Sequence, residues 1–191
     1  TETEVIPYIE EGLKAGVDVI LDSQIANLSP TASISPALPY LKYPNVHLAI
    51  DPEFAVVHPG QVIPGNPIGY ITAEQVNDVQ RTIAEYMRAN GITGKRILMV
   101  HQFQYDMILD KDKLDASFPE VELTLSVDGF GNPYVKTSKY NALVDANTPF
   151  TSFKLFYGWD KPLMTPAQAL GVDGTEHTDF IEITPNMIQY Q

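Results

Sequence analysis

Apolar residues along this chain fall into short, nearly continuous runs, each bounded by turn-forming residues and followed by a helical or loop stretch. Five runs read as buried strands: 17–21, 46–50, 96–100, 121–127 and 152–157. A run with little alternation suits a strand covered on both faces, as in parallel sheets. The stretches between them are long enough for the crossovers that parallel strands require.

Helical spacing is clearest over 73–90, where Val76, Val79, Ile83 and Met87 make one apolar stripe. Thr72 is placed to cap this helix, Gln75 to complete a capping box and Gly91 to end it. Further helices are expected at 6–15, ended by Gly16, at 137–144, and after the Thr165 cap, with Pro166 at the first position. The segments 27–44 and 52–67 read as long, proline-rich loops.

The pattern predicts a single α/β domain over 1–191, (β/α) TIM-barrel-like, with about five parallel strands visible. An open doubly wound sheet is the alternative. The chain starts on a helix, where an eight-stranded barrel resumed after its third strand would start. The expectation is therefore the C-terminal part of a larger barrel, completed by a preceding portion or by self-association. No Gly-x-Gly-x-x-Gly or P-loop pattern follows any strand, so a nucleotide cofactor is unsupported, and none is expected.

Composition narrows the partners. The chain has 191 residues, 44% of them hydrophobic and 19% charged, which is ordinary for one globular domain. Its 24 acidic and 12 basic residues give a net charge of −12, a surface that repels nucleic-acid phosphates and anionic lipid. No run of about 18 apolar residues exists to span a membrane. With no cysteine, thiolate chemistry is excluded; the 15 prolines and 10 tyrosines favour an extracellular or cell-surface protein.

Candidate chemistry lies at one end of every apolar run. The strands close on Asp22, on Asp51-Pro52-Glu53, on His101-Gln102-Phe103, on Asp128-Gly129 and on Gly158-Trp159-Asp160. In parallel α/β folds these ends converge on the ligand site. Asp51 and Glu53 are the leading acid/base candidates, with Asp22 and Asp128 as further carboxyl groups and His101 to orient or relay a proton. Trp159, Phe103, Gln102 and Asp160 are the candidate substrate-binding residues, within an aromatic set that includes Phe54, Tyr105, Phe130 and Tyr157. For any single Asp, helix or turn capping is the more ordinary role, and a lone strand histidine is commonly bonded to a backbone carbonyl. The same residue types could serve an oxygen-rich divalent metal, but no metal-binding spacing is present and no metal is expected. Asp110-Lys111-Asp112 and Asp173-Gly174 are only fragments of a calcium-loop pattern. No Gly-x-Ser-x-Gly elbow supports a serine nucleophile.

Several strings carry a resemblance: His47-Leu48-Ala49-Ile50-Asp51-Pro52-Glu53-Phe54, Pro59-Gly60-Gln61, Ile68-Gly69, Val100-His101-Gln102-Phe103, Asp128-Gly129-Phe130-Gly131 and Met164-Thr165-Pro166. Over about 17–191 the chain resembles uncharacterised secreted bacterial lipoprotein-type proteins that look like glycoside-hydrolase-like (β/α) barrels. It departs from them at Phe54, where tryptophan is expected, and at Asp22-Ser23-Gln24, where Gln-Pro-Gly is expected. The resemblance implies an exported barrel acting on or binding carbohydrate. The rivals are a non-catalytic structural or binding subunit of a cell-surface assembly and a metal-dependent hydrolase.

Overall fold

The computed structural model describes residues 2–173 and 181–191. In chain order its elements are α1 (Glu2–Ala15), β1 (Val19–Gln24), α2 (Pro30–Ile34), a 3₁₀ stretch (Ser35–Lys42) and β2 (Val46–Asp51). There follow a 3₁₀ turn (Pro52–Phe54), β3 (Ile71–Thr72), α3 (Ala73–Ala89), β4 (Arg96–Gln102), β5 (Ile108–Leu109) and β6 (Val121–Val127). The last are α4 (Pro133–Leu143), β7 (Phe150–Leu155), α5 (Pro166–Ala169) and β8 (Met187–Tyr190).

Six strands form one sheet in the order β1-β2-β4-β6-β7-β8, and every neighbouring pair is parallel. Strands β3 and β5 make a small separate pair. The large sheet is curled into a half-barrel. Its order rises along the chain without reversing, so it lacks the switch point at which doubly wound sheets bind ligands.

The five expected strands are all present, and a sixth, β8, joins them. The long segment 27–44 is more structured than expected. Pro30 opens α2 behind the Ser29 cap, and a 3₁₀ stretch follows without a break. Helix α3 keeps its predicted start, with Thr72 and Gln75 forming a reciprocal capping box.

Helices cover one face of the sheet. Alternate strand residues, among them Leu48, Ile50, Leu98, Val100, Leu123 and Leu125, join Val76, Val79, Ile83 and Met87 of α3 in one buried cluster. Val127, Phe153 and Leu155 continue that face against Tyr140 and Leu143 of α4. Burying each large aliphatic side chain contributes about 1.5–3 kcal/mol, so these clusters carry the fold.

The opposite, concave face is made of small and polar residues: Ala49, Met99, Thr124, Ser126, Ser152 and Gln189, all but the last fully or nearly buried. Gln189 on β8 donates to Ser126 Oγ at 3.0 Å and Ser152 Oγ at 2.6 Å. It also reaches Met99 Sδ on β4 at 3.0 Å. In a flat sheet these two strands would lie roughly 14 Å apart, three spacings of about 4.8 Å. Only strong curvature lets one glutamine span them.

Candidate active site

Strand alternation decides which end residues meet. Strands β1, β2 and β4 run a residue or more past their apolar cores, so Asp22, Asp51 and His101 are still within them. All three stand on the concave side, out of step with the helix-facing leucines and valines. The register sets Asp22 level with Ala49 and Met99, two residues before His101, so Asp22 reaches His101 diagonally past the small Ala49 side chain. His101 Nε2 lies 3.0 Å from Asp22 Oδ2, and Nδ1 faces Asp128 Oδ2 at 3.4 Å. Asp128 follows β6, where Gly129 turns the chain with φ of +80°. Lys154, on the concave side of β7, brings its ammonium 3.7 Å from Asp128 Oδ2.

Asp51 ends β2 and caps the next turn: its Oδ1 accepts from the Glu53 N–H at 3.3 Å. The turn is held from below by Gly69, whose N–H donates to Glu53 O at 2.8 Å. A side chain at Gly69 would collide with the carbonyl oxygens of Ala55 and Pro52, at 2.2 and 2.8 Å from the added carbon. Glycine is required there for close approach of two backbones.

The electrostatics set these groups apart. Burial is the largest influence on His101 and opposes its charge. The pairings with Asp128 and Asp22 outweigh it and raise the imidazole to about 9. At neutral pH it is therefore an imidazolium held between two carboxylates. For Asp51 burial again leads and raises the carboxyl to about 7; Glu53, Asp128 and Asp22 add to the rise while His101 opposes it. Glu53 is also raised, by burial and then by Asp128. Asp22 goes the other way: partial burial resists, but the His101 hydrogen bond and charge, with Lys154, hold it below the ordinary value. One carboxyl is thus poised to keep a proton near neutrality beside one that stays ionised, the separation that acid–base chemistry uses.

Asp22, Asp51, Glu53, Asp128 and His101 are thus brought together. Other candidates stand apart. Gln102, one residue on, faces the helices; it is fully buried, donating to Gln104 O and Tyr105 O and accepting from Lys111. Asp160 is consumed structurally, accepting from Gly131 N and Phe156 N at 2.8 Å each and pairing with buried Lys136 at 3.3 Å. Phe103 is half-buried beneath the Lys139 ammonium. Trp159 is 64% exposed and Phe130 63%, and they meet edge-on at 5.6 Å. Phe156 leans on Trp159 at 5.3 Å and lies under Lys154, which joins this aromatic patch to the polar cluster.

Lys154 and Phe156 were missed in the sequence. The only signal for Lys154 was its alternation with Ser152 against the apolar Phe153 and Leu155.

Both His101 nitrogens are turned to carboxylates, leaving no lone pair for a metal. Among the described residues no group of three or more acidic or histidine side chains is arranged to hold an ion. Of the calcium-loop fragments, Lys111 is tied to Leu143 O, and Gly174 lies outside the described residues. Two cavities of about 410 and 420 Å³ lie elsewhere, one lined by Tyr105, Lys111 and Asp145, the other by Thr72, Asn77 and Arg81. No helix is long and apolar enough to cross a membrane, among the described residues. Searches against family models, curated proteins and solved structures return no match to this chain.

Proposed function

We propose that this chain is the C-terminal part of an exported (β/α) barrel that hydrolyses glycosidic bonds at the carboxyl ends of its strands. The observation that carries the reading is the divergence of two neighbouring carboxyls, Asp51 raised to about 7 and Asp22 lowered. Asp51 would protonate the departing glycosidic oxygen. Asp22, kept anionic by His101, would act as the opposing carboxylate, the pair that glycoside hydrolysis requires. The exposed Trp159 and Phe130 offer apolar ring faces on which a sugar can stack. The barrel reading is supported by the unreversed strand order and by helices that, among the described residues, pack on one face only, since doubly wound sheets carry helices on both.

A screen against neutral glycosides tests this. Cleavage is expected to fall as pH rises through about 7, when Asp51 loses its proton, and to fall again below the ordinary aspartate value of 3.8, when Asp22 gains one. Asp51→Asn is expected to lower kcat by about 10²–10⁴, the usual contribution of a general acid. Asn still caps the turn, so the fold should survive. Equal cleavage by parent and Asp51→Asn would remove Asp51 from the mechanism.

One observation favours a second reading, a non-catalytic subunit whose sheet is completed by a partner. The outer strands β1 and β8 are only half-covered, whereas the strands between them are largely buried. Uncovered sheet edges invite pairing with another strand. A chain that binds glycosides without cleaving any would fit this reading.

A further inference from the structure

Lys154 is 8% exposed, yet its ammonium makes no hydrogen bond among the described residues. Its partners are the Asp128 carboxyl, 3.7 Å away, and the ring of Phe156 at 5.2 Å. Buried Lys136 shows what a structural lysine looks like in the same molecule. Its ammonium reaches Gly129 O at 2.6 Å, Lys154 O at 2.5 Å and Asp160 Oδ2 at 3.3 Å. A largely buried ammonium with one carboxylate at ion-pair distance and no hydrogen bond is unfavourable unless something else supplies acceptors. Beside it Asp128 Oδ1 is fully buried without a hydrogen-bond partner among the described residues.

We propose that Lys154 is a substrate-binding residue whose ammonium, with the Asp128 carboxyl, holds hydroxyl groups of an uncharged sugar. This rests on the carbohydrate reading above. The groups are mixed: the ammonium only donates, and the carboxylate only accepts. A hydroxyl both donates and accepts, so one ligand chemistry satisfies all of them. A uronate carboxylate would lie against Asp22, Glu53 and Asp128, and an amino sugar against Lys154 and His101. The Phe156, Trp159 and Phe130 rings continue outward from Lys154, in place to carry the next sugar face.

The test compares 4-nitrophenyl glycosides of neutral hexoses with their uronate counterparts. It follows cleavage, binding affinity and the ammonium resonance of Lys154. The expected result is a Lys154 resonance that shifts on adding the neutral glycoside. In Lys154→Met and Lys154→Gln, KM and Kd rise tenfold or more while kcat changes less. The melting temperature of Lys154→Met stays close to the parent's, because the ammonium makes no hydrogen bond among the described residues and Asp128 keeps His101 as a partner. Unchanged affinity in both variants, or a uronate bound more tightly than its neutral counterpart, overturns the assignment. Glycosides bound through Lys154 but not cleaved would remove the hydrolytic reading and keep this one. Cleavage indifferent to Lys154 would do the reverse, and no binding to the parent protein would remove both.

Discussion

His101 is the residue on which the cluster turns. It is 2% exposed and flanked by Asp22 and Asp128, and those two carboxylates keep it charged against the pull of burial. Its pKa is raised in the folded state, from the ordinary 6.5 to about 9. The stability it contributes is therefore fully present below about pH 6.5 and is lost as pH rises through about 9. The size is on the order of 3 kcal/mol, since a tenfold change in proton affinity corresponds to about 1.4 kcal/mol. His101→Gln should cost about that much in urea denaturation at pH 6 and markedly less at pH 10; a pH-independent cost would show that the imidazole is not charged. The acidic residues and His101 were legible in the sequence because each interrupts an apolar run at the same end. Gln102 and Asp160 share that position in the sequence but not in space. Successive strand residues face opposite ways, which sends Gln102 to the helices, and Asp160 is drawn inward to meet backbone N–H groups. Lys154 was the least legible, because its alternation with Phe153 and Leu155 gives its face but a lysine at such a place does not stand at the polar tip where the other candidates lie.

Strand β2 links the two sides of the site. Asp22 and His101 belong to strands two places apart, about 10 Å in a flat sheet. Curvature lets them meet at 3.0 Å, diagonally past the fully buried methyl of Ala49, which is level with Asp22. Ala49→Leu would crowd that path. Overpacking of this kind costs about 1–3 kcal/mol, and the substitution should also weaken the pH-dependent part of stability that His101 supplies. Unfolding curves at pH 6 and 10 measure both effects; a variant with the parent's pH dependence would show that Ala49 does not gate the contact. At this scale the sequence was most readable where local rules act alone. Helix α3, with its stripe and capping box, begins where Thr72 places it. Helix α2 and the following 3₁₀ stretch were hidden because Pro30, Pro36 and Pro39 read as loop formers, although a proline at a helix start supplies a favourable φ. Strand β8 is four residues long and half-exposed, too short for periodicity to mark.

Across the whole molecule, six parallel strands in chain order curl so that their ends bring together charges from β1, β2, β4, β6 and β7. Parallel strands, helical crossovers and the shared polar ends could be foreseen from the alternation of apolar runs and polar tips. Curvature could not, because it comes from how small side chains and Gln189 fill the concave face. The convergence makes Asp51 on β2 depend electrostatically on His101 on β4. A carbon-detected NMR titration of the Asp51 carboxyl reads this directly. The midpoint should lie near 7 and climb further in His101→Gln, where the opposing positive charge is removed. A midpoint near the ordinary aspartate value of about 4, unmoved by that substitution, would contradict both the acid assigned to the site and the meeting of strand ends that creates it.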